Sequence, residues 1–85
     1  MEPLVSILIP AHNAEAWIGD SIKSAIAQTW HHKEVIVVDD GSTDKTLTTA
    51  QQFESNEVRV VTHPNQGAAV ARNTAFSVAQ GDYIQ

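Results

Sequence analysis

"VIVVDDGSTDKT", Val35 to Thr46, runs four apolar residues into two adjacent aspartates, a glycine and a polar tail. A run this short and this rich in valine and isoleucine favours a strand over a buried helix. Being apolar at successive positions, it favours a strand covered on both faces, as in a parallel sheet. Working outward, similar runs occupy Leu4 to Pro10 and Val58 to Val61, and a last one opens at Tyr83 and Ile84. The segments between them repeat apolar residues at helical spacing. In Glu15 to Gln28, Ile18, Ile22, Ala25 and Ile26 share a face, with Asn13 as candidate N-cap. In Thr43 to Glu54, Leu47, Ala50 and Phe53 recur behind Ser42 as candidate cap. In Gly67 to Gln80, Ala68, Ala71, Ala75, Val78 and Ala79 make a smooth face, and Gly81 stands where a left-handed C-cap would. This alternation predicts an α/β fold, a Rossmann-like parallel sheet in the order β-α-β-α-β-α-β with helices on both faces.

The chain has 85 residues, which excludes two domains and suits one domain or a part of a larger one, so residues 1–85 are read as a single, partial α/β domain. No cysteine is present, which removes a disulfide framework and any thiolate metal site. The formal net charge is -5, and Lys23, Lys33, Lys45, Arg59 and Arg72 are scattered, so nucleic acid is not an expected partner. No apolar run approaches the ~20 residues that span a bilayer, and "MEPLVSILIP" lacks the positive start of a secretory signal. The expected location is cytoplasmic, a longer parent protein lying there or at the cytoplasmic face of a membrane. A sequence ending inside an apparent strand predicts truncation of such a parent. It also predicts an open sheet edge through which the segment could self-associate.

In open α/β sheets ligands bind outside the carboxyl ends of the strands, where loops converge and helix N-termini point their positive ends. "PAHNAE", "DDGSTD" and "THPNQGAAVARN" all fall there. Pro10 fixes the exit of the first strand, His12 offers a flat ring, and Glu15 lies in the following first turn. Asp39 and Asp40 are strand neighbours, so their side chains point opposite ways. One is expected to face a ligand crevice, suited to accept from a base N–H or a ribose hydroxyl, and the other to be held by backbone N–H groups or a cation. Gly67 permits close backbone approach at a helix start, and Arg72 lies further along the same helix. Its guanidinium suits phosphate or carboxylate, or a structural pairing with Asp39 or Asp40. His63 and Asn65 read as turn residues, and His31 and His32 as a solvated loop. The first loop lacks the glycine fingerprint of a dinucleotide site. Collected on one rim, these groups suit a nucleotide diphosphate.

The order "VSILIPAHNAE", "EVIVVDDGSTDKT" and "NQGAAVARNTAFSVAQGDYIQ" resembles the N-terminal half of the nucleotide-binding region of family 2 glycosyltransferases, the GT-A type, over essentially the whole chain. The resemblance implies transfer of a sugar, with inversion, from a nucleotide diphosphate sugar donor, UDP-linked, to the hydroxyl of a saccharide or lipid-linked saccharide acceptor. Polysaccharide assembly is the setting by analogy. It implies that Pro10, Ala11 and His12 wrap the base, with His12 where the family often has tyrosine. It places Asp40 on the base and Arg72 near base and diphosphate, and Glu15 matches an often-present acid. The family's Asp-x-Asp element, which holds a divalent metal (Mn or Mg), and its catalytic base both come later than "GDYIQ". No cofactor is therefore expected on this segment, and no turnover from it alone. The alternative, should the native chain end at residue 85, is a non-catalytic nucleotide-binding or interaction module.

Overall fold

The computed structural model describes residues 3–30 and 32–85, so His31 lies outside the described residues. The elements are β1 (Val5–Ala11), α1 (Ile18–Ala27), β2 (Lys33–Asp40), α2 (Thr46–Gln51), β3 (Val58–His63), α3 (Ala68–Val78) and β4 (Tyr83–Ile84). The strands form one sheet in the order β3-β2-β1-β4 with every pair parallel, and the order reverses direction between β1 and β4.

Strand alternation divides the core into two layers. Ile7, Ile9, Val35, Val37 and Val58 pack with Ile18, Ile22 and Ala25 of α1 and Ala50 of α2 on one face. Ile36 and Val38 pack with Ala71 and Ala75 of α3 on the other, with Leu8 and Val61 beside them. The small alanines let α3 lie close to the sheet. β2 is central and covered on both sides, which is why Val35 to Val38 are all fully buried. On the β4 side the sheet is less covered: Phe76, Tyr83 and Ile84 are exposed.

The helices α1 and α2 start later than the spacing predicts, for one physical reason. Asn13 does not cap α1; its φ is 49°, in the left-handed region that asparagine tolerates, and residues 15–17 form a turn before Ile18. The N–H groups of Asn13, Ala14 and Glu15 bond instead to Ser42 Oγ, Thr46 Oγ1 and Asp44 Oδ2 in the next loop. That loop is served in return, since Thr43 N–H bonds Asn13 Oδ1 and Lys45 N–H bonds Glu15 Oε1. Each loop therefore satisfies backbone donors of the other, and Asn13 Oδ1 and Ser42 Oγ are spent across this exchange and not on the first turns of their own helices. Gly81 is not a left-handed cap either: α3 ends in extended backbone at Ala79, and the only positive-φ glycines among the described residues are Gly41 and Gly67. Gly81 is needed for close approach, because a Cβ there would lie 2.3 Å from Ser6 Oγ. Its N–H bonds that hydroxyl, and Ser6 in turn donates to Glu34.

Candidate nucleotide site

The carboxyl ends of β1 and β2 and the start of α3 enclose a cavity of about 280 Å³ lined by Pro10, Ala11, His12, Asp40, Asn65, Gly67, Ala68 and Ala71. This is slightly below the ~300–1,000 Å³ of sites that swallow a whole drug-sized ligand, so it suits one ring of a larger ligand. Across Pro10 a second depression of similar size is lined by Leu8, Arg72, Phe76, Ile84 and Gln85. A larger, more open groove of about 380 Å³ lies over Ile7, Ile9 and α1 beside Trp17, and it contains none of the candidate ligand residues.

Asp40 ends β2 on the face that carries α3 and is 3% exposed. Its Oδ1 accepts the Gln66 N–H at 2.8 Å and its Oδ2 the Gly67 N–H at 3.0 Å. Asn65 Nδ2 lies 3.4 Å from Oδ2, and His63, the cross-strand partner of Asp40, brings Nδ1 to 3.4 Å from Oδ1. The Gln66 and Gly67 N–H groups just ahead of α3 are therefore taken by Asp40, so Gly67, an expected anion cradle, is a donor to the protein's own carboxylate. Its φ of 100° still requires glycine.

Asp39 is the other half of the pair and turns to the opposite face, as alternation requires. Its Oδ2 accepts the Thr62 hydroxyl at 2.9 Å and its Oδ1 faces the Ser42 N–H at 3.4 Å. It does not line the cavity, and the two carboxylates cannot act on one atom together. Glu15 does not line it either, because its carboxylate is turned to Lys45 N–H in the loop exchange described above. His12 does line it, with Nδ1 2.8 Å from the Asp40 main-chain oxygen. Arg72 is exposed and makes no hydrogen bond or ion pair with described residues, so the pairing with Asp39 or Asp40 is not formed. Its guanidinium is free for an outside partner.

Three groups escaped the sequence reading. Asn65, read as a turn residue, reaches His12 and Asp40. Thr62 holds Asp39, a contact legible from strand pairing once the register is known. Asp44 receives the hydroxyl and N–H of Thr46. The side-chain bond from Thr46, helped by the N–H groups of Thr46 and Glu15 and opposed by partial desolvation, holds the Asp44 carboxyl below its ordinary value of 3.8. Among the described residues no group of three or more His, Cys, Asp or Glu could hold a metal ion. No helix among them is long and apolar enough to cross a membrane.

The family model described as "Glycosyl transferase family 2" matches residues 6–85. The chain is 45% identical over 86 residues to a putative teichuronic acid biosynthesis glycosyltransferase, TuaG, of Bacillus subtilis, covering 98% of this chain and 34% of that protein. Among solved structures it is similar to the mannosyltransferase PcManGT of Pyrobaculum calidifontis in complex with GDP-Man and Mn2+. There the TM-score is 0.86 at 27% identity, over 99% of this chain and 26% of the other. It is also similar to glucosyl-3-phosphoglycerate synthase of Mycobacterium tuberculosis in complex with Mn2+, UDP and glucosyl-3-phosphoglycerate, at a TM-score of 0.77 and 30% identity over 96% of this chain and 32% of that one. The chain thus spans about a third of the length of curated relatives it matches.

Proposed function

The chain belongs to glycosyl transferase family 2, and from that premise we propose that residues 1–85 form the donor-binding part of an enzyme that moves a sugar, with inversion, from a UDP-linked donor to an acceptor hydroxyl. The observation that carries this reading is the buried Asp40 carboxylate in the wall of the cavity at the carboxyl ends of β1 and β2. A carboxylate offers about four acceptor sites; two are filled by backbone N–H groups at short distance, and a base N–H would compete only with the longer 3.4 Å contacts of Asn65 and His63. The compact cavity suits a single-ring base. From there the diphosphate would run past Pro10 toward the free guanidinium of Arg72, whose planar fork matches phosphate oxygens. Binding in this way positions the donor and disperses charge on the departing diphosphate, which is where electrostatic help is worth most.

Nucleotide-sugar neighbours that hold Mn2+ make a divalent metal an expectation for the longer protein. The residues present here do not fit it: Asp39 and Asp40 point to opposite faces and are each occupied by N–H or O–H donors. No step is assigned to a metal on this segment, and none of its residues is assigned as catalytic base. Titration of the full-length protein with UDP by calorimetry tests the site. Asp40→Ala and Arg72→Ala should each weaken binding by roughly ten- to a hundredfold, the worth of a hydrogen bond to a charged group. Unchanged affinity in both would remove the assignment.

A further inference from the structure

Asn65 is seated where three loops meet. Gly41, at φ 64°, packs so closely that a Cβ there would lie 2.3 Å from the Asn65 N, so the missing side chain is what admits the β3–α3 loop over the end of β2. The Asn65 amide nitrogen then donates to the Asp40 main-chain oxygen at 3.1 Å. The same oxygen lies 2.8 Å from His12 Nδ1. A carbonyl only accepts, so His12 Nδ1 carries the proton and Nε2 is left as the acceptor of the ring. The Asn65 nitrogen is 3.1 Å from Nδ1 and 3.4 Å from Nε2. An in-plane partner that near to both ring nitrogens would collide with the carbon between them, so the amide lies over the ring face, a weak N–H···π contact. Asn65 thus braces the ring from above while sharing its carbonyl anchor.

We propose that Asn65 is the positioning residue of this cavity. It keeps the His12 ring seated against the Asp40 carbonyl, which fixes the Nδ1–H tautomer, so that both Asp40 and His12 Nε2 present acceptors on the wall. An acceptor facing the N3 position of the base selects uracil, whose N3 carries a proton, over cytosine, whose N3 accepts and whose only edge donor is the N4 amino group. The selection rests on the nucleotide-binding reading above; the tautomer does not.

Long-range proton–nitrogen correlation spectra of the ¹⁵N-labelled full chain without ligand read the tautomer directly. The expected result is Nδ1–H at His12 in the wild type and a mixture of tautomers in Asn65→Ala, with the Trp17 and Trp30 indole signals unmoved as a check on folding. Nε2–H in the wild type overturns the proposal, and because that needs no variant, a misfolded Asn65→Ala leaves it exposed to refutation. Titrations with UDP and CDP follow. Asn65→Ala should lose about five- to tenfold in UDP affinity and narrow the UDP:CDP ratio. In a His12→Ala background the same change should cost less than about twofold, since a positioning residue has nothing left to position. Equal losses in both backgrounds would show a merely structural role and overturn the proposal. Absence of UDP binding in the wild type would instead remove the nucleotide reading, leaving the tautomer result to judge Asn65.

Discussion

Replacing Asp40 by asparagine keeps the shape of the side chain and turns one acceptor oxygen into an NH2 group. In the wild type the two oxygens accept backbone N–H groups of Gln66 and Gly67 at 2.8 and 3.0 Å in a site that is 3% exposed. A backbone N–H cannot reverse its polarity. One bond therefore becomes donor against donor, and the other falls from a charge-assisted to a neutral one. With net values of ~1.5–3 kcal/mol for the first kind and ~0.5–1.5 for the second, the loss is about 2 to 4 kcal/mol. Asp39→Asn is the internal control. Its main partner is the Thr62 hydroxyl at 2.9 Å, which can rotate to accept from the new amide, and its contact with Ser42 is long at 3.4 Å. That variant should lose about 1 kcal/mol or less. A chain of this size has roughly 4–13 kcal/mol in total, so the two outcomes are easily separated. Urea unfolding of both variants, followed by tryptophan fluorescence, measures the difference as a shift in midpoint at constant slope. Asp39→Asn destabilising as much as Asp40→Asn would refute the account of how each carboxylate is held.

Three further outcomes follow from the same contacts. Asp44 has a folded pKa below 3.8, so its contribution to stability is fully present above about pH 4 and is lost as pH falls through the lower folded value; Asp44→Asn should flatten that acid limb in a series of urea melts. Gly81→Ala should cost about 1–3 kcal/mol, because its Cβ would meet Ser6 Oγ at 2.3 Å and Leu4 O at 2.9 Å. Hydrogen exchange should show the damage at the β1–β4 junction, where Leu8 N–H bonds Gln85 O and Gln85 N–H bonds Ser6 O. Arg72→Ala should leave stability within about 0.5 kcal/mol of wild type, because the side chain is exposed and makes no hydrogen bond or ion pair with described residues, while UDP affinity falls.

The architecture was readable because Val35 to Val38 are β-branched and apolar throughout, and their sister runs are short and interrupted only by Ser6 and Arg59, a pattern that favours buried strands. The opposed directions of Asp39 and Asp40 were likewise readable, since the period of a strand is two. What was not readable depends on distant partners. The helix starts moved because Asn13, Glu15, Asp44 and Thr46 serve each other's loops at separations of about thirty residues, and no local capping rule sees that far. Glu15 does not line the cavity for the same reason. Asn65 looked like an ordinary turn residue; its role exists only because Gly41 lets its backbone approach, and neither residue alone carries a signal.

Backbone amide shifts of the ¹⁵N-labelled full chain during titration with UDP test the central claim most directly. The account expects the largest changes at Ala11, His12, Asp40, Gln66 and Gly67, with Arg72 moving less and the groove beside Trp17 still. Shifts centred on that groove, or none at saturating UDP, would contradict it.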